Sequence, residues 1–179
     1  MDYFLENYLL SIVIGILSSL IASIVFLFFI SRLRPKIIIS KTIAKGQSSE
    51  GNAIYRIKII NKTRRPIINV KAQLHLITPS VAPGGIILKS KEIQLKRSDP
   101  MEISRFDRKD IEAKYAFHFL TYEDLEALWK DDVHSYLRFR IFAMDSLSGF
   151  GKVFEQDYHT KRNSLICGDF EFGYALEIK

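Results

Sequence analysis

The chain has 179 residues, 47% of them apolar, and a formal net charge of +6 from 26 Lys and Arg against 20 Asp and Glu. That apolar content with only 9 Gly and 5 Pro excludes a disordered chain. The single cysteine excludes a disulfide framework, and the length holds one ordinary domain beside an anchor rather than two.

The first predicted element is a transmembrane helix. Tyr8 to Ile30 is a run of twenty-three residues without a charge, Pro, Asn or Gln, longer than the roughly 20 apolar residues that cross a bilayer. A secretory signal peptide fits less well, because the leader over residues 1–7 is acidic (Asp2, Glu6), the apolar block is too long, and large basic residues stand at its exit. Arg32, Arg34, Lys36, Lys41 and Lys45 crowd one end of the run. The positive-inside rule then leaves residues 1–7 outside and sends residues 37–179 into the cytoplasm, with the helix in the inner (plasma) membrane. Cys167, alone, agrees with a cytoplasmic domain, and Asn61-Lys62-Thr63 is read as chance or turn chemistry rather than a glycosylation site.

Within the helix, Ser11, Gly15, Ser19 and Ser23 recur at spacing four, with Ser18 and Ala22 beside them. Small residues in such a stripe let helix backbones approach closely in lipid, so a homo-oligomer is expected; the bland reading is that Ser, Gly and Ala are frequent in membrane helices. The tether over residues 31–36 places Arg32, Arg34 and Lys36 at the inner headgroup layer, where each basic side chain gains about 1 kcal/mol from anionic lipid. These charges read equally well as topology determinants alone.

The rest reads mostly as strands. Lys36 to Ala44, Ala53 to Asn61 and Pro66 to Thr78 form the first three, separated by the polar turn over residues 47–52 and the turn from Asn61 to Pro66. Val70, Ala72, Leu74 and Leu76 alternate with Lys71, Gln73 and His75, the pattern of a half-buried strand. Ile86 to Lys96 and Met101 to Phe106 continue the series. A short helix is predicted from Thr121, capped by its hydroxyl with Asp124 three residues later, and carrying Leu125, Leu128 and Trp129 on one face. Strands return over Tyr136 to Met144, Phe150 to Tyr158 and Asp169 to Ile178. The expected fold is an all-β domain, an immunoglobulin-like antiparallel sandwich in preference to a barrel, behind one transmembrane helix.

The order of these features resembles the inward-rectifier potassium channel family, from its pore-lining inner helix through its cytoplasmic domain. Ser11-Ile12-Val13-Ile14-Gly15 running to Arg34-Pro35-Lys36 resembles the end of the inner helix and its basic tether. Tyr55 to Asn61 and Val70 to Ile77 fall where that family has its first sandwich strands. Arg97-Ser98-Asp99-Pro100-Met101 resembles its basic-Ser-x-Pro turn, and Thr121 to Leu128 its small helix. Asp145 to Gly149, Tyr158 and Cys167-Gly168-Asp169-Phe170 sit like its final hairpin and closing strand. The resemblance implies a regulatory domain that assembles as a tetramer, senses a ligand and moves a membrane helix, and it implies lipid-headgroup contact at Arg34 and Lys36. An outer helix, a pore helix and a Thr-Val-Gly-Tyr-Gly-like filter are missing, so this chain alone is not expected to be a selective potassium channel.

Basic residues near predicted turns, Arg64, Arg65, Lys96, Arg97, Lys161 and Arg162, would form an anion site for lipid, nucleotide or nucleic-acid phosphate if they gathered at one end of the domain; otherwise they are solvated charge. Enzymatic chemistry finds no support. His75, His118, His134 and His159 are scattered, Ser146 and Ser148 belong to a hairpin turn, and no phosphate loop or dinucleotide fingerprint occurs. Asp131-Asp132 ends a helix and Glu155 and Asp157 share one strand face, both pairs being read as solvated or as ion-pair partners, and Cys167 is expected to fill the core. No cofactor or metal is expected.

The leading expectation is a membrane-anchored, oligomeric ligand-sensing module. Its alternative is a pore-forming or membrane-disrupting effector of anti-phage type, gated by a nucleotide messenger on the basic domain; an unrecognised enzyme ranks last.

Overall fold

Helix α1 (Asp2–Ser31) is apolar all round and exposed on every face from Tyr8 to Phe29, a surface that only an apolar solvent or other helices can cover. The computed structural model describes residues 2–48, 51–130 and 134–179, with side chains described from Tyr8 onward. Among them one helical stretch, Tyr8–Ser31, is long and apolar enough to cross a membrane. Its hydroxyls turn back onto their own helix: Ser18 Oγ donates to the Gly15 carbonyl, Ser23 to Ser19 and Ser31 to Phe28. In hydrocarbon this satisfies polar groups that water would otherwise serve.

The remainder is a two-sheet β-domain. In the first sheet β3 (Ala53–Asn61) is central. β1 (Ile37–Ile39) and β2 (Ile43–Gln47) lie in series along one side of it, and β7 (Ala116–Thr121) along the other. In the second sheet β4 (Ile67–Ala82) runs between β8 (Tyr136–Asp145) and a broken flank made of β5 (Gly85–Ile93) and β6 (Glu102–Ile103). β9 (Gly151–Tyr158) forms the other edge of that sheet, beside β8.

Both sheets contribute to one apolar core. Tyr55, Ile57, Ile59 and Phe119 face it from the first sheet, and Ala72, Leu74, Leu137, Phe139 and Ile141 from the second. The rings of Phe119 and Phe139 meet across the layers at 5.3 Å. The alternation of Val70, Ala72, Leu74 and Leu76 with polar residues is borne out: the apolar set is buried.

Several elements differ from the sequence reading. The first strand is two, because buried Ser40 interrupts it: its hydroxyl accepts the Lys58 N–H and its carbonyl the Tyr158 hydroxyl. β4 continues past Thr78 to Ala82, paired with β5 in a long hairpin arm. β7 is an added strand: Phe117, Phe119 and Thr121 alternate with Ala116, His118 and Leu120, so the polar–apolar pattern is weak as well as short, and it follows an irregular loop.

The small helix, α2 (Leu125–Leu128), starts four residues later than predicted. Asp124 is its cap and accepts the N–H groups of Glu126 and Ala127, while Thr121 ends β7.

The closing strand is replaced. After α3 (Lys161–Ser164), β10 (Leu165–Cys167) pairs parallel to β2, so the domain is not wholly antiparallel, and Phe170 makes only a bridge to Ile178. Cys167 is exposed rather than a core filler. Asp131-Asp132 and Ser49-Glu50 lie outside the described residues.

Candidate functional site

The strands define two ends of the β-domain. At one end lie the start of β1, the end of β3, the start of β4 and the β8–β9 turn; α1 enters there. The tether is bonded into this end at both of its own ends. The Leu33 carbonyl, just beyond α1, accepts the Ser148 hydroxyl at 2.6 Å. Lys36 donates its N–H to Thr63 Oγ1 at 2.9 Å and accepts the Lys62 N–H at 2.7 Å, with Pro35 buried between.

Both receiving turns hang on one carboxylate. Asp145, fully buried, accepts the N–H groups of Leu147 and Ser148 at 3.1 and 3.0 Å. From the other turn it accepts Arg65 Nε at 2.9 Å and pairs with the Arg65 terminal nitrogen at 2.8 Å. Burial pushes the Asp145 carboxyl up, but Arg65 and the two amides outweigh it and hold it below the usual range. Asn61 completes the frame: its amide donates to the carbonyls of Arg65 and Ser104, and its carbonyl oxygen accepts the Thr63 N–H. That role supports the turn reading of Asn61-Lys62-Thr63.

The outer face of the second sheet is concave beside this frame, an open hollow of about 860 Å³, within the size range of small-molecule sites. Its side chains fall in rows across β4, β8 and β9. Nearest the α1 end are Asn69 and Met144; next come Lys71, Phe142 and Val153; farthest are Gln73, Arg140 and Glu155. Two backbone features shape the hollow. The β4–β8 register shifts between Ile68 and Lys71, where Asn69 adopts φ 50°. Gly151 leaves room for the Phe142 ring, which a Cβ there would meet at 2.5 Å.

The charges in and beside the hollow are unevenly matched. Arg140 Nε pairs with Glu155 at 2.5 Å, and Arg138 pairs with Asp157 at 2.7 Å and with Glu155 at 3.3 Å. Glu155 and Asp157 are thus ion-pair partners on one strand face. The Lys71 ammonium has no hydrogen-bond or ion-pair partner among the described residues, its backbone being paired with β8.

The six cations expected to form an anion site are not brought together. Arg64 is exposed at the α1 end, while Arg65 is committed to Asp145. Lys96 Nζ donates to the Tyr122 hydroxyl and Arg97 is exposed on the following loop. Lys161 and Arg162 sit on α3 beyond the opposite end of β9, with Lys161 Nζ on the Glu126 carbonyl. Exposed Arg32, Arg34 and Lys36 do share the α1 end with another basic group. There Lys62 lies 4.3 Å from the Phe106 ring and 5.7 Å from Tyr174, and Arg108 lies 5.6 Å from Tyr174. Ser11, Gly15, Ser19 and Ser23 all lie on α1, and the space about Gly15 is open.

A smaller hollow of about 270 Å³ adjoins Lys58, His118 and Phe170. Its buried lysine is structural: Lys58 Nζ donates to the carbonyls of Glu171 and Ala175 at 2.6 and 2.8 Å, strapping the last residues to β3. No group of His, Cys, Asp and Glu suited to a metal occurs among the described residues. The sequence matches no protein-family model and no curated protein.

Proposed function

We propose that the chain is a non-enzymatic, single-pass membrane module: α1 spans the inner membrane, the β-domain lies in the cytoplasm as an immunoglobulin-like sandwich, and its state is passed to the helix. The observation that carries this reading is the double bonding of the tether at Leu33 and Lys36 to turns joined by Asp145 and Arg65. A loose linker would isolate the helix, whereas a bonded one makes the helix end follow any shift of those turns. Exposed Arg32, Arg34 and Lys36, beside Lys62, Arg108 and Tyr174, favour rest against anionic headgroups. The resemblance to the inward-rectifier cytoplasmic domain and the small-residue stripe support a homo-oligomer, with a tetramer favoured. A nucleotide-gated effector has less support, since the cations it would use are dispersed.

The test places a nitroxide at Ser31, through S31C in a C167S chain reconstituted in nanodiscs. The label should be ordered, and Ser148→Ala should loosen it. Equal mobility in the two chains would end the transmission reading. Gly15→Leu with Ser19→Leu should lower the light-scattering mass in detergent; an unchanged mass removes the stripe from the assembly.

A further inference from the structure

We infer that the concave outer face of β4, β8 and β9 binds a single-chain anionic amphiphile, a fatty carboxylate drawn from the adjoining leaflet. The inference rests on the membrane-anchored reading above and names the ligand class of that module. Charge decides the head. Lys71 and Arg140 against Glu155 leave the hollow one positive charge in excess, and that charge is the unpartnered Lys71. One carboxylate balances it, whereas a nucleotide polyphosphate brings several negative charges to a face whose other cation is already paired. The side-chain amide of Gln73, in the next row, also has no partner among the described residues and supplies a donor to the same head.

The apolar side chains decide the tail and its direction. In the two rows nearer the α1 end, Met144, Phe142 and Val153 of β8 and β9 lie beside Asn69 and Lys71 of β4, and Val153 is 57% exposed. Gln73, Arg140 and Glu155 occupy the row farther away. A ligand with its head at Lys71 therefore lays its chain over Phe142 and Met144 toward the end where Ser148 holds the tether. A soluble sugar or a dianion has no use for that floor, and a neutral lipid leaves Lys71 unmatched. Met144 precedes Asp145 in the chain, so an occupant of the hollow lies against the strand that carries the tether's anchoring carboxylate.

Full-length protein in nanodiscs is illuminated with a photoreactive palmitate analogue, and the crosslinked peptides are mapped by mass spectrometry. Photoreactive palmityl alcohol and the chains carrying Lys71→Glu or Val153→Asp serve as comparisons. Both substituted side chains are exposed, so the fold should tolerate the changes. Saturable labelling of β4, β8 and β9 is expected, weakened about tenfold by Lys71→Glu and by loss of the carboxylate, and also reduced by Val153→Asp. Labelling confined to α1, labelling of the strands that Lys71→Glu leaves unchanged, or competition by a nucleoside triphosphate as strong as that by palmitate overturns the inference. The Ser31 nitroxide reads tether order without any ligand. An ordered tether with an unlabelled hollow defeats the amphiphile alone, and a mobile tether beside a labelled hollow defeats the transmission reading alone.

Discussion

At the α1 end of the β-domain, Asp145, Arg65, Asn61, Thr63 and Ser148 are bonded to one another or to the tether. At the opposite end the β4–β5 arm runs out beyond the core, with Val81 89% and Ile86 73% exposed. The first region spends polar side chains to hold a short tether in one place. The second exposes apolar side chains that touch little of the domain. The contrast teaches that cross-linking between segments here follows polar satisfaction rather than apolar content, because a buried carboxylate must be matched by partners from several segments while an exposed valine constrains nothing.

The sharpest way to break this comparison is at Asp145. Asp145→Ala removes one side of a pair whose other member is partly buried, and should cost about 3 kcal/mol. The loss should appear as a lower Tm of the β-domain in circular dichroism of the full-length protein. Acid gives a second handle. The native carboxyl is held below its unfolded value, so its contribution is full above the ordinary aspartate range and is lost as pH falls through the native value. Asp145→Asn should flatten that acid limb. A variant as acid-sensitive as the parent would show that the limb belongs to other groups.

Next in size is Gly151→Ala. The new methyl would meet the Phe142 ring, which must swing away from its seat on β9, at a cost of about 2 kcal/mol. This change also reshapes the hollow, so thermal denaturation and the photolabelling pattern should move together. Ser148→Ala follows: it deletes the hydroxyl that holds the Leu33 carbonyl and should cost about 1 kcal/mol. Its larger effect is on order at Ser31, where loosening without unfolding would separate coupling from stability.

How much of this was legible in the sequence depends on the kind of signal. The α1 run was plain because apolarity over such a length has few structural meanings. The β3 bounds, Ala53 to Asn61, agree with the reading because polar turns flank an apolar stretch. The break at Ser40 was not legible, since it depends on the Lys58 N–H and the Tyr158 hydroxyl arriving from distant strands. Asp145-Ser146-Leu147-Ser148-Gly149 was legible as a turn from its Asp, Ser and Gly residues. Nothing in that string shows that its carboxylate would be buried against Arg65 or that its second serine would hold the tether. The pairing of Glu155 and Asp157 with Arg138 and Arg140 followed from strand alternation once β8 and β9 were neighbours. Lys71 was visible only as the wet side of a strand, and the hollow around it depends on a register shift and a glycine that no local pattern announces.

The smallest effect is expected at the arm, and its smallness is the informative result. Val81→Thr with Ile86→Thr keeps β-branched side chains that suit a strand and removes apolar surface that water already reaches. Stability should change by no more than about 0.5 kcal/mol. In the core the same chemistry, a hydroxyl placed at Ile57 or Ile141, would bury an unmatched polar group and cost far more. A paired measurement of Tm for the arm variant in detergent and in nanodiscs decides what the arm does. No change in either medium leaves it a free appendage of the far end. A fall of several degrees in the assembled protein, with none in a monomeric Gly15→Leu, Ser19→Leu background, would show that the arm is covered by a neighbouring copy. The two ends of the domain would then differ in which partner holds them rather than in whether they are held.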